Sequence, residues 1–445
     1  MSFYGYKRNT TPNINNFFSN AFVFNKAIAP ATLTYTDALS LFYSLSPQVH
    51  KAYVRQKKTY TQEVLKNYQS LPAILAKQGY ETAAFVSDED YEYEWGLGKT
   101  FKLYFDRTHY RDNGITFSPF SYSVGTKQLV PIASKWLEKN IGKKKFMFLQ
   151  AYDLHCPFNP GGKFANLYDS PHSKNIPFTE ECFMAKDKMN PIKMNGTNKF
   201  LLQSFFAYLK ENEKRYYFEK RDLDFLTSLY DAELNQADSY LLELFNTIKK
   251  LKLDQNSIIV FLTEHGDYHG ENGFFFKTSA TAAGNLNNAN LNIPLIIKTP
   301  QTTKKIVQNQ IIQLIDIVPS LLEMLQISPD NKMQGKSFAQ ILEKSEEIND
   351  YAYGFQVRYG FVKQEKNKNY YYYLETIQDH EWKLDHEEKY NFPERDFLKE
   401  EYFLYDLRKD PNEKYNIASK EKKKLEQLKE VMLTKRIQYA DKNRE

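Results

Sequence analysis

Residues 257–273 read SIIVFLTEHGDYHGENG, an apolar run that stops abruptly at carboxylates, imidazoles and glycines. A short continuous apolar run bounded by polar residues is the pattern of a strand buried on both faces. The pattern recurs upstream in KKFMFLQAY at 144–152, which runs into DLHCPFNP. Between the two, residues 222–252 carry Leu226, Leu229, Leu234, Leu241, Leu242 and Leu244 spaced mainly by threes and fours, which predicts a long amphipathic helix. Farther out, SLPAILAKQ at 70–78 predicts a helix stopped by Gly79, and TAAFVS at 82–87 a strand. IPLIIKT at 293–299 predicts a fourth strand and 311–326 an apolar-rich helix ending near Pro329. Strands alternating with helices predict an α/β fold, a mostly parallel sheet flanked by helices. Ligands collect at the carboxyl ends of such strands, so the residues that follow the strands are the candidates for function.

Composition narrows the classes. The 445 residues are 42% hydrophobic and 26% charged, with 60 Lys and Arg against 55 Asp and Glu, which excludes wholesale disorder. A net charge of +5 with no basic stripe gives no support for nucleic-acid binding. The cysteines are Cys156 and Cys182, too few for a disulfide framework or a thiolate metal cluster. No apolar run approaches the ~18 residues of a membrane span, and the first residues show neither an h-region nor a cleavage site. As written, the chain is expected in the cytoplasm, or in the periplasm or at a membrane if an upstream segment exists. Beyond about residue 346, Tyr-rich stretches such as NYYYYLET broken by charged turns predict short antiparallel strands, with a last helix over 419–436. The expected organisation is a catalytic domain over 1–345, with a loop-rich insertion at 156–222, and a small α+β subdomain over 346–445.

At the strand ends, Glu264 and His265 set a carboxylate beside an imidazole, donors suited to Zn, Mn, Mg or Ca in differing degrees. A polar turn with a solvated Glu is the plainer alternative. Asp153-Leu154-His155 repeats the arrangement after another strand, where the His can donate to an anionic ester oxygen or simply cap backbone. The loop APATLTYTDALSLFYSLSP at 29–47 is Thr-rich and then helix-like. A Thr at a helix N-terminus is a workable nucleophile toward phosphorus or sulfur beside a metal, and a helix cap without one. His269, His109, Asp267, Glu271 and Lys277 complete the inventory, Lys277 as a cation for a substrate anion or as surface. No P-loop, GxGxxG or GxSxG pattern occurs.

YGYKRNTTPNI at 4–14, LPAILAKQGYETAAF at 71–85, DLHCPF at 153–158, TEHGDYHGENG at 263–273, NIPLIIKTP at 292–300, IDIVPSLLEML at 315–325 and LYDLRKDPNEKYNIA at 404–418, with the APATLTYT loop, resemble the sulfatase family of the alkaline phosphatase superfamily. The resemblance implies an alkaline-phosphatase-like fold and a metal-dependent hydrolase or transferase of sulfate or phosphate esters. It implies Glu264, His265 and Thr34 at a divalent metal (Zn, Ca, Mn or Mg), Thr34 as nucleophile, and His155, Lys277 and His269 on the substrate. Thr34 stands where sulfatases carry the Cys or Ser that becomes formylglycine, a conversion Thr does not undergo. Thr36 and Ala38 replace the Pro and Arg of that signature. A Thr nucleophile and the GENG segment resemble phosphoethanolamine transferases instead, with a glycan or lipid acceptor, while LYDLRKDPNEKYN resembles sulfatases proper. The family's first strand, which bears an acidic metal ligand just before the YGY segment, is expected to be missing. The alternatives are therefore a Thr-dependent hydrolase or transferase, a true sulfuric ester hydrolase, and an impaired homologue that binds anions or glycans.

Overall fold

The computed structural model describes residues 1–53, 65–112, 125–155, 158–171, 218–271 and 286–440 apart from 343, 345, 363–367 and 393, together with Gln62, 199–200 and 275–276. Lys277, both cysteines and most of the expected insertion at 156–222 lie outside the described residues.

The expected strands form. They are β2 (Glu81–Val86), β4 (Lys145–Gln150), β5 (Ile259–Leu262) and β6 (Asn292–Lys298), joined by β1 (Phe22–Ile28) and β3 (Leu103–Phe105). β1 is central to its sheet yet was not expected from sequence. Its apolar run is broken by Asn25 and Lys26, and the register against β6 shifts there, between Phe24 and Ala27. A bulge that turns two polar residues out of a buried strand hides the pattern.

Two sheets result. One has β2 at its centre, parallel to β3 and to β4. In the other, β1 is parallel to β7 (Ile306–Gln308) and β8 (Ile312–Gln313) and antiparallel to β6, which in turn is antiparallel to β5. The layer is thus mostly parallel, with β6 as the reversed strand. The helix expected over 311–326 is shorter, running Ile317–Met324, because Ile312 and Gln313 pair with β1 first. Asp316 then takes the Gln313 N–H at 2.8 Å and starts the turn.

Helices cover both faces. On one lie α2 (Thr34–Tyr43), α3 (Leu71–Lys77) and α6 (Ile317–Met324); on the other lie α1 (Pro12–Phe17), α4 (Thr126–Lys139) and α5 (Lys220–Lys250). Phe17 stacks on Phe245 with ring centroids 4.2 Å apart, fixing α1 against α5. Beyond residue 350, four long strands, β9 (Ala352–Val362), β10 (Lys368–Gln378), β11 (Trp382–Phe392) and β12 (Phe397–Asp406), form an antiparallel meander. The last helix, α7 (Lys422–Tyr439), packs Leu428 and Met432 on the Ile377 and Leu384 face of that sheet. Among the described residues, no helix is long and apolar enough to cross a membrane.

Among its contacts with the first layer, the meander meets the loop after β1. The Phe355 N–H donates to the Pro30 carbonyl at 2.8 Å, and Gln356 Oε1 accepts from the Thr32 N–H at 3.1 Å and the Thr32 hydroxyl at 2.7 Å. A side chain at Gly354 would meet the Pro30 oxygen at 2.9 Å, so the close approach requires glycine.

Candidate active site

The carboxyl ends of β2, β4 and β5 converge on one end of a cavity of about 1850 Å³, where Asp88, Asp153, His155, Glu264, His265, Asp267 and His269 line its wall. Thr34 is the first residue of α2, and its Oγ1 lies 3.3 Å from His265 Nε2, both residues being buried. The other imidazole nitrogen, Nδ1, lies 2.9 Å from the Gly266 carbonyl. A carbonyl only accepts, so Nδ1 carries the proton and the Nε2 lone pair faces Thr34. The Thr34 hydroxyl therefore donates to His265, which aims its oxygen.

The turn that carries this imidazole is held tightly. The Gly266 N–H donates to the Asn290 carbonyl at 2.7 Å, and a Cβ at Gly266 would lie 2.3 Å from the Ala289 oxygen. Any larger residue there pushes the turn away from residues 289–290. That segment is in turn fixed from the turn after β12, since Glu413 accepts the Asn288 N–H at 2.9 Å.

Two carboxylates not singled out from sequence join Glu264. Asp37, in the first turn of α2, is fully buried and accepts the Ala31 N–H at 3.1 Å. Asp88 follows β2 directly, accepts the Asp90 N–H at 2.8 Å, and is tethered through its own N–H to Gln150 at the end of β4. Burial first, and then the charges of Glu264, Asp88 and Asp37 among its neighbours, hold the Tyr91 hydroxyl well above its ordinary range. These three acids thus act on one buried spot. Asp88 was legible as a third strand-end carboxylate; Asp37, inside a helix, was not.

Asp153 serves structure. Its carboxylate accepts the Thr126 N–H and hydroxyl, each at 2.8 Å, and so closes the N-terminus of α4. The turn it anchors presents His155, half-buried and stacked on Tyr152 at 4.2 Å, toward the cavity. The His269 ring packs edge-on against Tyr230 at 4.5 Å, the backbone N–H of His269 donates to Glu271, and burial lowers the imidazole pKa. His109 is spent elsewhere, 2.8 Å from Asp106 in the loop after β3.

The donor types at the strand ends suit a divalent cation, although among the described residues no three of these carboxylate and imidazole groups have ligand atoms within 4.8 Å of one another. Glu264, Asp37 and Asp88 offer hard oxygens, and His265 Nε2 and Thr34 Oγ1 would be the further donors. Among the described residues, the group of three whose ligand atoms do lie within 4.8 Å of one another is His386, Glu388 and Glu400 on the meander.

Glu233, on α5, gives the site a pH-dependent neighbour. Burial, and then the Asp153 charge, push its carboxyl up to about 8, against acceptance of the Asn159 N–H. A carboxyl raised on folding contributes stability that is complete below its unfolded pKa and lost as pH rises through the folded one. Wild-type unfolding free energy is expected to fall between pH 5 and about 8.5 relative to Glu233→Gln, by on the order of a few kcal/mol, and the melting temperature with it. Parallel melting curves for the two proteins across that range would contradict this.

The family model described as Sulfatase matches residues 1–327, and the model described as N-sulphoglucosamine sulphohydrolase, C-terminal, matches residues 270–442. Arylsulfatase K of Mus musculus is 22% identical over 288 residues, 64% of this chain and 49% of that protein. N-acetylglucosamine-6-O-sulfatase of Bacteroides thetaiotaomicron is 26% identical over 223 residues, 48% of this chain and 36% of that protein. The chain thus aligns with half or less of the length of these curated relatives. Among solved structures, a protein in complex with its substrate D-glucosamine-2-N,6-O-disulfate superposes with TM-score 0.66 at 17% identity, covering 100% of this chain and 96% of that one. The phosphonate monoester hydrolase of Agrobacterium radiobacter superposes with TM-score 0.68 at 16% identity, covering 99% and 93%. At these identities the superpositions speak to the fold, which is alkaline-phosphatase-like.

Proposed function

Because the chain belongs to the sulfatase family, we propose that it hydrolyses a sulfate ester on a glycan, with Thr34 as the nucleophile and water as the final acceptor. The observation that carries this is the buried Thr34–His265 contact at a strand-end cluster of carboxylates. The sulfated-sugar substrates named for several relatives support the glycan class.

In this reaction His265 fixes the Thr34 side chain so that Oγ1 faces the ester. A bond forms from Oγ1 to sulfur as the bond from sulfur to the alcohol oxygen breaks. The Thr34 proton leaves to water, and the departing alcohol oxygen takes a proton from His155. Water then attacks the same sulfur, which returns Thr34 and releases sulfate, so one water is consumed per ester. A divalent ion held by Glu264, His265 and Thr34, with Asp37 and Asp88 beside them, would take the Nε2 lone pair in place of the Thr34 hydroxyl proton, lower the pKa of that hydroxyl and offset the developing charge. The oxygen-rich set suits Mg²⁺, Ca²⁺ or Mn²⁺. Lys277, outside the described residues, completes the anion contacts in this proposal.

A second substrate class is favoured by one observation, the full-length superposition on a phosphonate monoester hydrolase. The test is a panel of an aryl sulfate, an aryl phosphonate and glucosamine 6-sulfate offered to the full chain, with metal content assayed. Expected is sulfate release that a chelator reduces by at least about tenfold and that added Mn²⁺ or Ca²⁺ restores. Turnover of the phosphonate alone would replace sulfur by phosphorus in the proposal. No turnover of any of the three by the metal-loaded chain would overturn it.

A further inference from the structure

The meander carries a group of ligating side chains that the ester chemistry does not use. His386 and Glu388 alternate along β11 and so share a face. Glu400 of β12 is the register partner of Glu388, and Glu375 of β10 that of His386. α7 packs Leu428 and Met432 on this face and brings Arg436 to Glu375.

Two carboxylates directly opposite on one face repel. On the other face of the same strands Glu387 is opposite Glu401, and the next rung supplies Lys389 and Lys399, with Lys399 Nζ 2.5 Å from Glu401. On the His386 face the next rung is Tyr390 and Phe397, which bring no cation. Arg436 comes only within 3.8 Å of Glu388, because its guanidinium is forked onto Glu375. Lys429 lies over the Tyr402 ring, 4.7 Å from its centre. The group between the facing acids is the His386 imidazole, whose Nε2 lies 3.2 Å from Glu400 Oε2 and 3.7 Å from Glu388 Oε1.

That imidazole is locked in place. Its side chain is 3% exposed and stacks on Tyr402 with centroids 4.4 Å apart. Nδ1 lies 3.3 Å from Glu375 Oε2, and Glu375 is itself fixed by the Arg436 fork and by the Tyr353 hydroxyl at 2.6 Å. Arg436 is also 3.3 Å from Nδ1, but it is committed to the carboxylate. A carboxylate only accepts, so Nδ1 carries the proton and the Nε2 lone pair is aimed at two anions. A buried carboxylate that holds the far nitrogen of a His is the outer-shell partner typical of a metal ligand. Side-chain exposure rises from 3% at Glu375 through 20% at Glu388 to 51% at Glu400, so an ion can enter from solvent.

We propose that His386 Nε2, Glu388 and Glu400 bind a Zn²⁺ ion, with water completing the coordination. One imidazole nitrogen and two carboxylate oxygens suit Zn²⁺, with Mn²⁺ next. The ligand atoms all lie within 4.8 Å of one another. The ion offsets the facing carboxylates and ties β11 to β12. Through Glu375, the register partner of Phe355, it also steadies the strand that holds the Pro30 carbonyl.

The test loads the chelator-stripped full chain with Zn²⁺. It compares wild type with Glu388→Gln/Glu400→Gln, which keeps side-chain volume, and with Glu264→Gln/His265→Gln, which disables the strand-end site. Expected is one zinc equivalent fewer in the meander variant than in wild type after gel filtration. Zn²⁺ is expected to protect amides of 384–390 and 398–404 from hydrogen exchange by about tenfold or more in wild type and in the strand-end variant. It should raise the melting temperature of the strand-end variant by about 3 °C or more, and not once all four substitutions are combined. In chelator the meander variant should melt at or above wild type, because the facing charges are gone. Equal zinc content in wild type and meander variant, with no protection of these strands, would overturn the proposal. A meander variant that also melts below wild type in chelator would identify a proton on His386, rather than a metal, as the charge between the carboxylates.

Discussion

Thr34→Ala is expected to lower turnover of the responsive ester by about 10³-fold or more and to abolish any covalent adduct, while leaving the melting temperature close to wild type. Thr34 starts α2 rather than capping it, and the N-cap position is held by Leu33. Its removal thus costs the hydrogen bond to His265, worth about 0.5–1.5 kcal/mol, not the helix. Thr34→Ser keeps the oxygen on the same backbone and is expected to retain turnover within about a hundredfold of wild type. Steady-state kinetics with intact-mass analysis separates the roles. A purely structural hydroxyl would lower stability in Thr34→Ala and not in Thr34→Ser, without an adduct ever forming, and wild-type turnover in Thr34→Ala would remove Thr34 from the reaction.

Lys383→Met is expected to cost on the order of 3–5 kcal/mol of stability, the largest effect of any single change on the meander. The Lys383 side chain is 0% exposed, its Nζ lies 2.7 Å from Glu413 and 3.6 Å from Asp385, and it donates to the Leu286 carbonyl. Removing the cation leaves buried acids facing one another, and Asp385 is already pushed above its ordinary range by burial. Glu413 also holds the Asn288 N–H, two residues from the carbonyl that anchors Gly266. Loss of Lys383 should therefore loosen the turn that carries His265. Denaturant unfolding measures the cost, and the double variant with Glu413→Gln should recover part of it. Additive losses in the double variant would show that the two side chains do not interact.

The fold was legible where burial and periodicity agree. β2, β4, β5, β6 and α5 follow their hydrophobic patterns to within two or three residues. β1 was not legible, because the bulge at Asn25 and Lys26 breaks the run that would have marked it. At the site, Glu264, His265 and His155 could be read because each follows a strand directly. The contact between Thr34 and His265 spans 231 residues and exists only once α2 is laid across the strand ends. Asp37 carries no local mark, since a carboxylate in a helix's first turn is ordinary helix chemistry until burial makes it something else. The ties from Gln356 and Glu413 to the site are wholly tertiary.

The bond from Gln356 to Thr32 spans 324 residues. During synthesis at about 5–20 residues per second, some 15–65 s pass between the emergence of the reactive loop and that of the strand which clamps it. For that interval a nascent chain exposes Thr34 on an unbraced segment. The brace on the loop that leads into Thr34 is therefore synthesised long after the loop itself, and a product cut short before β9 would lack it.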